Sequence, residues 1–186
     1  MINLIYPINL TIDGCCDHNK MSPDEETFEY FTQLTREADT FLYGRKTYQL
    51  MVPYWPDVAK SPSGQTNIDY EFAQAFVAVE KMVVFSRSLD KVEEGNIRIV
   101  RSGLHDEVQT LKREPGKNIF TGGVDIPTQL AELSLIDEYH FLVHPIVVGA
   151  GRRLFEGINL QEKLQLKLVE STVFKSGAVV LRYVKK

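Results

Sequence analysis

The stretch that most constrains this chain runs from Asn118 to Glu156. Asn118-Ile119-Phe120-Thr121 is a short apolar run and predicts a buried strand. Gly122-Gly123 follows at once, and Ile126, Leu130 and Leu133 then recur at helical spacing as far as Leu135. From Leu135 to Val148 the chain is rich in Ile, Tyr, Phe and Val and reads as a second strand. A strand, a glycine pair, a helix and a strand predict a parallel pair joined by a right-handed crossover. Glycines between strand and helix let a ligand reach the backbone, and a helix start favours an anion. A phosphate or pyrophosphate suits that chemistry. A Gly-Gly pair is also an ordinary tight turn, so the reading needs a second, independent feature.

Gly44 supplies one. Thr40 to Tyr43 predicts a short strand, and Gly44-Arg45-Lys46-Thr47-Tyr48 leads into a helix over Thr47 to Val52. Basic residues at a helix start oppose the helix dipole and want a reason. Arg and Lys donate charge-assisted hydrogen bonds to phosphate, and Thr caps or binds it. A solvated basic pair is the plainer alternative. Ser86-Arg87-Ser88 closes a strand over Lys81 to Phe85, and Arg101-Ser102-Gly103 closes one over Asn96 to Val100.

The remaining chain alternates in the same way. Ile2 to Ile12 is almost continuously apolar and predicts a central strand ended by Asp13-Gly14. Ser22-Pro23-Asp24-Glu25 reads as a helix start with a Ser cap, and the helix runs to about Ala38 with Phe28, Phe31 and Leu34 on one face. Val52 to Asn67, with Pro53, Pro56 and Pro62, reads as a loop, followed by a helix over Asp69 to Val79. Leu104 to Arg113 is a further helix. Leu164 to Phe174 and Ala178 to Lys185, around Lys175-Ser176-Gly177, predict an antiparallel hairpin. Residues 1–186 therefore read as a single α/β domain with a mostly parallel sheet and an antiparallel C-terminal edge.

Composition narrows the partners. A hydrophobic share of 44% and a charged share of 25% are those of a globular chain, and the net charge of −4 argues against nucleic acid or an acidic membrane surface. No apolar run is long enough to span a bilayer. Cys15 and Cys16 are adjacent and cannot staple a fold, which points to a reduced, cytoplasmic protein; with His18 they fall short of a metal ligand set.

In a parallel sheet the carboxyl ends of the strands share one edge, where ligands bind. The polar and glycine-bearing ends Asp13-Gly14, Gly44 to Thr47, Ser86-Arg87, Arg101 to Gly103 and Thr121 to Gly123 converge there. Arg beside Ser at two strand ends suits a phosphorylated ribose, which favours NADP over NAD. Neither G-x-G-x-x-G nor G-x-x-x-x-G-K-[ST] occurs.

These features together resemble the RibD C-terminal domain family, of dihydrofolate reductase-like fold. The resemblance rests on Thr11-Ile12-Asp13-Gly14, Gly44-Arg45-Lys46-Thr47-Tyr48, Val84-Phe85-Ser86-Arg87, Thr121-Gly122-Gly123 and the P-x-x-x-G-x-G pattern from Pro145 to Gly151 with Leu154-Phe155 behind it. It implies a three-layer fold and NADPH bound across the strand ends, in a homodimer. Arg45, Lys46 and Thr47, after Gly44, would hold the pyrophosphate; Ser86 and Arg87 would hold the 2′-phosphate ribose. Thr121, Gly122, Gly123 and Val124 would line the pyrophosphate and nicotinamide, with Ile12 and Asp13 near nicotinamide and substrate. A folate reductase also carries a carboxylate on its first helix to grip the pterin. The acids there are Asp24, Glu25, Glu26 and Glu29. Glu29 is nearest the expected place, which makes Asp13 and Glu29 the candidate catalytic carboxylates, although Glu29 also fits a solvated face.

The implied activity is NADPH-dependent reduction of a small heterocyclic (pyrimidine- or pterin-like) or carbonyl substrate. A non-catalytic NADP-binding protein and a true folate reductase are the alternatives. The chain has neither H-x-E nor P-C-x-x-C, the zinc signature of the deaminase that usually accompanies a riboflavin-pathway reductase. The substrate is therefore open.

Overall fold

Strand β1 (Leu4–Thr11) is apolar on both faces because it is covered on both. Its neighbours are β5 (Asn118–Thr121) and β6 (Glu138–His144), each parallel to it. The predicted Asn118–Val148 unit is thus parallel but not a neighbouring pair, since β1 lies between its two strands. The computed structural model describes residues 2–61, 63–92 and 95–186. The remaining strands are β2 (Ala38–Gly44), β3 (Lys81–Phe85), β4 (Ile97–Val100), β7 (Leu166–Val173) and β8 (Val179–Lys185). They complete one eight-stranded sheet in the order β4-β3-β2-β5-β1-β6-β8-β7. The first six are parallel, and β8 runs antiparallel to both β6 and β7, giving the predicted C-terminal hairpin.

Helices cover both faces. On one, Leu4, Tyr6, Ile8 and Leu10 pack with Val108 and Leu111 of α5 (Leu104–Leu111) and Leu130 and Ala131 of α6 (Asp125–Glu132). On the other, Phe41, Tyr43, Val84 and Phe120 meet Leu34 of α1 (Glu25–Arg36) and Phe72 and Phe76 of α4 (Asn67–Val77). This makes three layers. Fully buried side chains such as Leu4, Ile119 and Leu142 contribute about 1.5–3 kcal/mol each.

Four predicted features shift for local reasons. Helix α1 is capped by Asp24 rather than Ser22: the Asp24 carboxylate accepts hydrogen bonds from Thr27 N at 2.9 Å and Thr27 Oγ1 at 2.7 Å. A carboxylate satisfies the open N–H groups and also complements the helix dipole. Helix α2 (Arg45–Met51) starts directly after Gly44. The segment predicted as a loop from Val52 to Asn67 contains helix α3 (Tyr54–Lys60). Its prolines, Pro53 and Pro56, sit at the cap and in the first turn, where a missing N–H removes no helical hydrogen bond. Strand β6 ends at His144, earlier than Val148, where Pro145 turns the chain out of the sheet.

Candidate active site

The carboxyl ends of β5, β2, β3 and β4 lie side by side in that order. Each is followed by a polar or glycine-bearing turn: Gly122–Val124, Gly44–Thr47, Ser86–Ser88 and Arg101–Gly103. All four turns line one cavity of about 1510 Å³. Three inter-strand steps span roughly 14 Å at about 4.8 Å each, a track long enough for much of a dinucleotide.

The turn after β5 is built for close approach. Gly123 has φ +81°, and a Cβ there would overlap Thr47 Oγ1. A Cβ at Gly122 would come 3.2 Å from the Tyr43 ring. Only glycine fits the first position without strain. The turn is pinned from beneath: the buried Tyr6 hydroxyl donates to the Gly123 carbonyl at 2.8 Å. Burial pushes the Tyr6 hydroxyl well above its ordinary pKa, so it remains a donor.

The other three turns supply cations. Arg45, Lys46, Arg87 and Arg101 all face the cavity, and none pairs with a carboxylate among the described residues. Arg45 donates only to Gln49 Oε1 at 3.1 Å, and Arg101 to the Arg87 carbonyl at 3.2 Å. Ser86 Oγ accepts from the N–H groups of Ser88 and Leu89 at 3.2 and 2.9 Å, leaving its proton free to donate. Four uncommitted cations and a free hydroxyl beside a glycine turn are a donor set that fits a multiply phosphorylated anion.

Of the residues singled out from the sequence, Gly44, Arg45, Lys46, Thr47, Ser86, Arg87, Gly122, Gly123 and Val124 line this cavity together. Thr121 and Ile12 do not. Thr121 is fully buried and its hydroxyl donates to the Leu42 carbonyl at 2.8 Å, while Ile12 is 62% exposed. The two candidate catalytic carboxylates also lie off the cavity wall. Asp13 is held by Arg153 at 2.7 Å and by the N–H groups of Val148 and Gly149 at 3.3 and 2.9 Å. Hydrogen bonds from Thr11 and Arg153 keep its carboxyl well below the usual range. It clamps the loop after β6 to the end of β1. Glu29 is on the exposed face of α1. The face of α1 toward the cavity carries Thr27, Phe28, Phe31 and Thr35, and no acid. Spacing along the helix marks that face, but aromatic residues at such spacing read equally as core.

Sequence reasoning also passed over Arg152. It lines the cavity and pairs with Asp125 at 2.5 Å, which lowers the Asp125 carboxyl. The signal was Gly151, one residue earlier. With φ +115°, it lets the loop close on Asp17 and Cys15, whose Oδ2 and Sγ would lie 2.5 and 2.7 Å from any Cβ there. Arg152 N then donates to Asp17 Oδ2 at 3.1 Å. Cys16 is on the same wall, and burial pushes its thiol up to about 11.

Residues 3–180 match the model of the RibD C-terminal domain. The chain belongs to that family. It is 31% identical over 188 residues to the uncharacterized protein YyaP of Bacillus subtilis, covering 97% of this chain and 93% of that one. Another uncharacterized Bacillus subtilis protein, YwjB, is 26% identical over 159 residues, covering 83% and 78%. Among solved structures, a putative riboflavin biosynthesis protein from Shewanella sp. PV-4 superposes with a TM-score of 0.74 at 19% identity, over 100% and 99% of the two chains. A pyrimidine reductase-like protein from Corynebacterium diphtheriae gives 0.71 at 14% identity, over 100% and 92%. Dihydrofolate reductase from Enterococcus faecalis, complexed with NADP(H) and RAB-propyl, gives 0.64 at 13% identity, over 99% and 96%. The fold of this RibD C-terminal domain protein is dihydrofolate reductase-like, and its family and structural neighbours support a reductase-like function.

Proposed function

We propose that residues 1–186 form one domain that binds NADPH along the β5-β2-β3-β4 edge and reduces a small heterocyclic (pyrimidine- or pterin-like) or carbonyl substrate. One observation carries this reading. Four strand-end turns stand in sheet order on a single cavity, and they bring a glycine cradle and four uncommitted cations with them. Gly122 and Gly123 admit the pyrophosphate, with Arg45, Lys46 and Thr47 beside it. Ser86, Arg87 and Arg101 stand farther along the track, where a ribose 2′-phosphate would sit. When bound, NADPH supplies a hydride from its nicotinamide. The chain fixes its position, shields it from water with the aromatic wall of α1 and α3, and keeps Asp125 ionised against Arg152.

Thermal unfolding in the presence of NADPH tests the reading. A ligand at a hundred times its Kd stabilises by about 2.7 kcal/mol, which is a shift of several degrees. No shift at millimolar NADPH overturns it.

A second reading, nucleotide binding without turnover, draws on the acid-free cavity face of α1. That same face argues against a true folate reductase, which needs a carboxylate there. Oxidation of NADPH with pterin, pyrimidine or quinone acceptors separates turnover from binding, and methotrexate sensitivity would mark a folate reductase.

The protein is proposed to be a homodimer. Edge strand β7 exposes Leu168, Val169 and Val173, the last by 72%, and an open apolar edge invites pairing. Light scattering on wild type and Val173→Asp checks this. No helix of the described residues is long and apolar enough to cross a membrane. The free thiols of Cys15 and Cys16 fit a cytoplasmic setting.

A further inference from the structure

Strand β1 carries Asn9 between Ile8 and Leu10, in a run that is otherwise almost wholly apolar. Asparagine is depleted in strands, and a central strand covered on both faces ordinarily holds an apolar residue there. Side chains alternate along a strand. Ile8 and Leu10 pack with α5 and α6, so Asn9 lies on the other face, the one α1 covers.

Its partner is His144 at the end of β6, two residues beyond Leu142, which is opposite Asn9 in the register. His144 is 6% exposed, and its Nε2 lies 2.9 Å from Asn9 Oδ1. An amide oxygen only accepts, so His144 Nε2 carries a proton and donates it. That bond fixes the amide, with the oxygen toward His144 and the nitrogen away from it. The nitrogen has no partner among the described residues, and it is not enclosed as the unpaired hydroxyls of Thr35 and Tyr139 are. Asn9 lines the cavity, so two N–H donors are open to a ligand there.

The surrounding wall offers little to compete. Of the polar side chains that α1 brings to the cavity, Thr27 donates to Asp24 and Thr35 Oγ1 is enclosed. Two carboxylates line the cavity among the described residues, and both are tied to Arg152. Asp125 pairs with its guanidinium, and Asp17 accepts from its backbone N–H. The polar group that β1 presents is therefore a donor and not an acid.

We propose that Asn9 selects the substrate, its amide donating to a carbonyl oxygen or an unprotonated ring nitrogen, and that His144 is the positioning residue that turns the amide outward. The inference rests on the reductase reading above and narrows its substrate to one that meets β1 with an acceptor. A ring that met β1 with N–H groups, as the amino edge of an aminopyrimidine does, would set donor against donor.

Calorimetry with 1-indanone and indole, on protein saturated with NADP⁺, tests this. Both are flat bicycles of similar size; the ketone only accepts, and the indole N–H only donates. 1-Indanone is expected to bind roughly fivefold more tightly, or better. Asn9→Asp keeps Oδ1 for His144 and exchanges only the donor nitrogen for an oxygen. It should weaken 1-indanone about tenfold, with indole and NADP⁺ not weakened. If Asn9→Asp does not fold, Asn9→Leu suits an apolar strand and carries the same expectations. His144→Leu should weaken 1-indanone about threefold with indole unchanged, and His144→Gln, which restores an N–H, should recover it. Neither probe binding, indole binding as tightly as 1-indanone, or an Asn9 variant that affects both probes alike overturns the proposal. An NADP⁺ affinity that falls with that of 1-indanone assigns Asn9 to the cofactor and also overturns it. His144→Gln as weak as His144→Leu overturns the positioning role. A protein that takes up no NADP⁺ refutes the cofactor reading instead; the probes are then compared on the free protein, and the same outcomes decide.

Discussion

Gly123→Ala is expected to destabilise the protein by roughly 1.5–3.5 kcal/mol, in two separable parts. The first is the backbone. At φ +81° an L side chain costs about 1–2 kcal/mol relative to glycine. The second is Thr47. The new methyl would overlap its Oγ1 while lying 3.4 Å from its Cβ, an ordinary contact. Turning Thr47 away costs about 0.5–1.5 kcal/mol in rotamer strain. Thr47→Ala deletes the overlapping atom, so Gly123→Ala in that background should cost only the backbone part. Denaturant unfolding of wild type, both single variants and the double variant, at one protein concentration, gives the coupling directly. For a chain of this length the single variant should lower Tm by roughly 3–14 °C. If Gly123→Ala costs the same in both backgrounds, the Thr47 contact is not what holds this turn. If it costs nothing in either, the turn is not left-handed, and the cradle beside it loses its basis.

Other outcomes follow from the same geometry. Arg87→Ala should weaken NADPH by roughly tenfold to a hundredfold, as expected for a charged hydrogen bond, with NADH little changed; parallel titrations of the two cofactors check this. Glu29→Gln should leave both Tm and NADPH oxidation within error of wild type, because Glu29 is exposed and off the cavity. The Glu138 carboxyl sits in a relay with His140 and Arg182 at 2.6 and 2.5 Å. Burial pushes it up, but the bonds from His140 and Arg182 outweigh burial and hold it at about 2. A carboxyl lowered by folding stabilises above its unfolded pKa and loses that contribution as pH falls. Acid titration of stability should therefore fall from about pH 4.5 toward pH 2, and Glu138→Gln should flatten that limb.

Much of the cationic edge was legible because glycines and cations at strand ends leave local signals. Gly44-Arg45-Lys46-Thr47 and Gly122-Gly123 needed no tertiary information to be noticed. Sheet order then made neighbours of β5, β2, β3 and β4, which no local pattern specifies. The aromatic wall was not legible. Phe28 and Phe31 have the periodicity of any helix packed on a sheet, Trp55 falls in a stretch read as a loop, and only the space beside them shows that they border a cavity. Asp13 misled for the opposite reason. A carboxylate beside a glycine looks catalytic in one dimension, but its partners Val148, Gly149 and Arg153 are more than 130 residues away. Helix α3 was hidden by prolines, which break a helix interior but not its first turn.

The place of β1 between β5 and β6 carries a cost in time. Leu4 pairs with Ile119, and its amide reaches Asp137 across a separation of 133 residues. Such distant pairings fold slowly, because a long loop must close before any contact rewards it. During synthesis the centre of the sheet would leave the ribosome long before the strands that flank it. Until they arrive it is an apolar ribbon with two open edges, the state most exposed to aggregation and to chaperones.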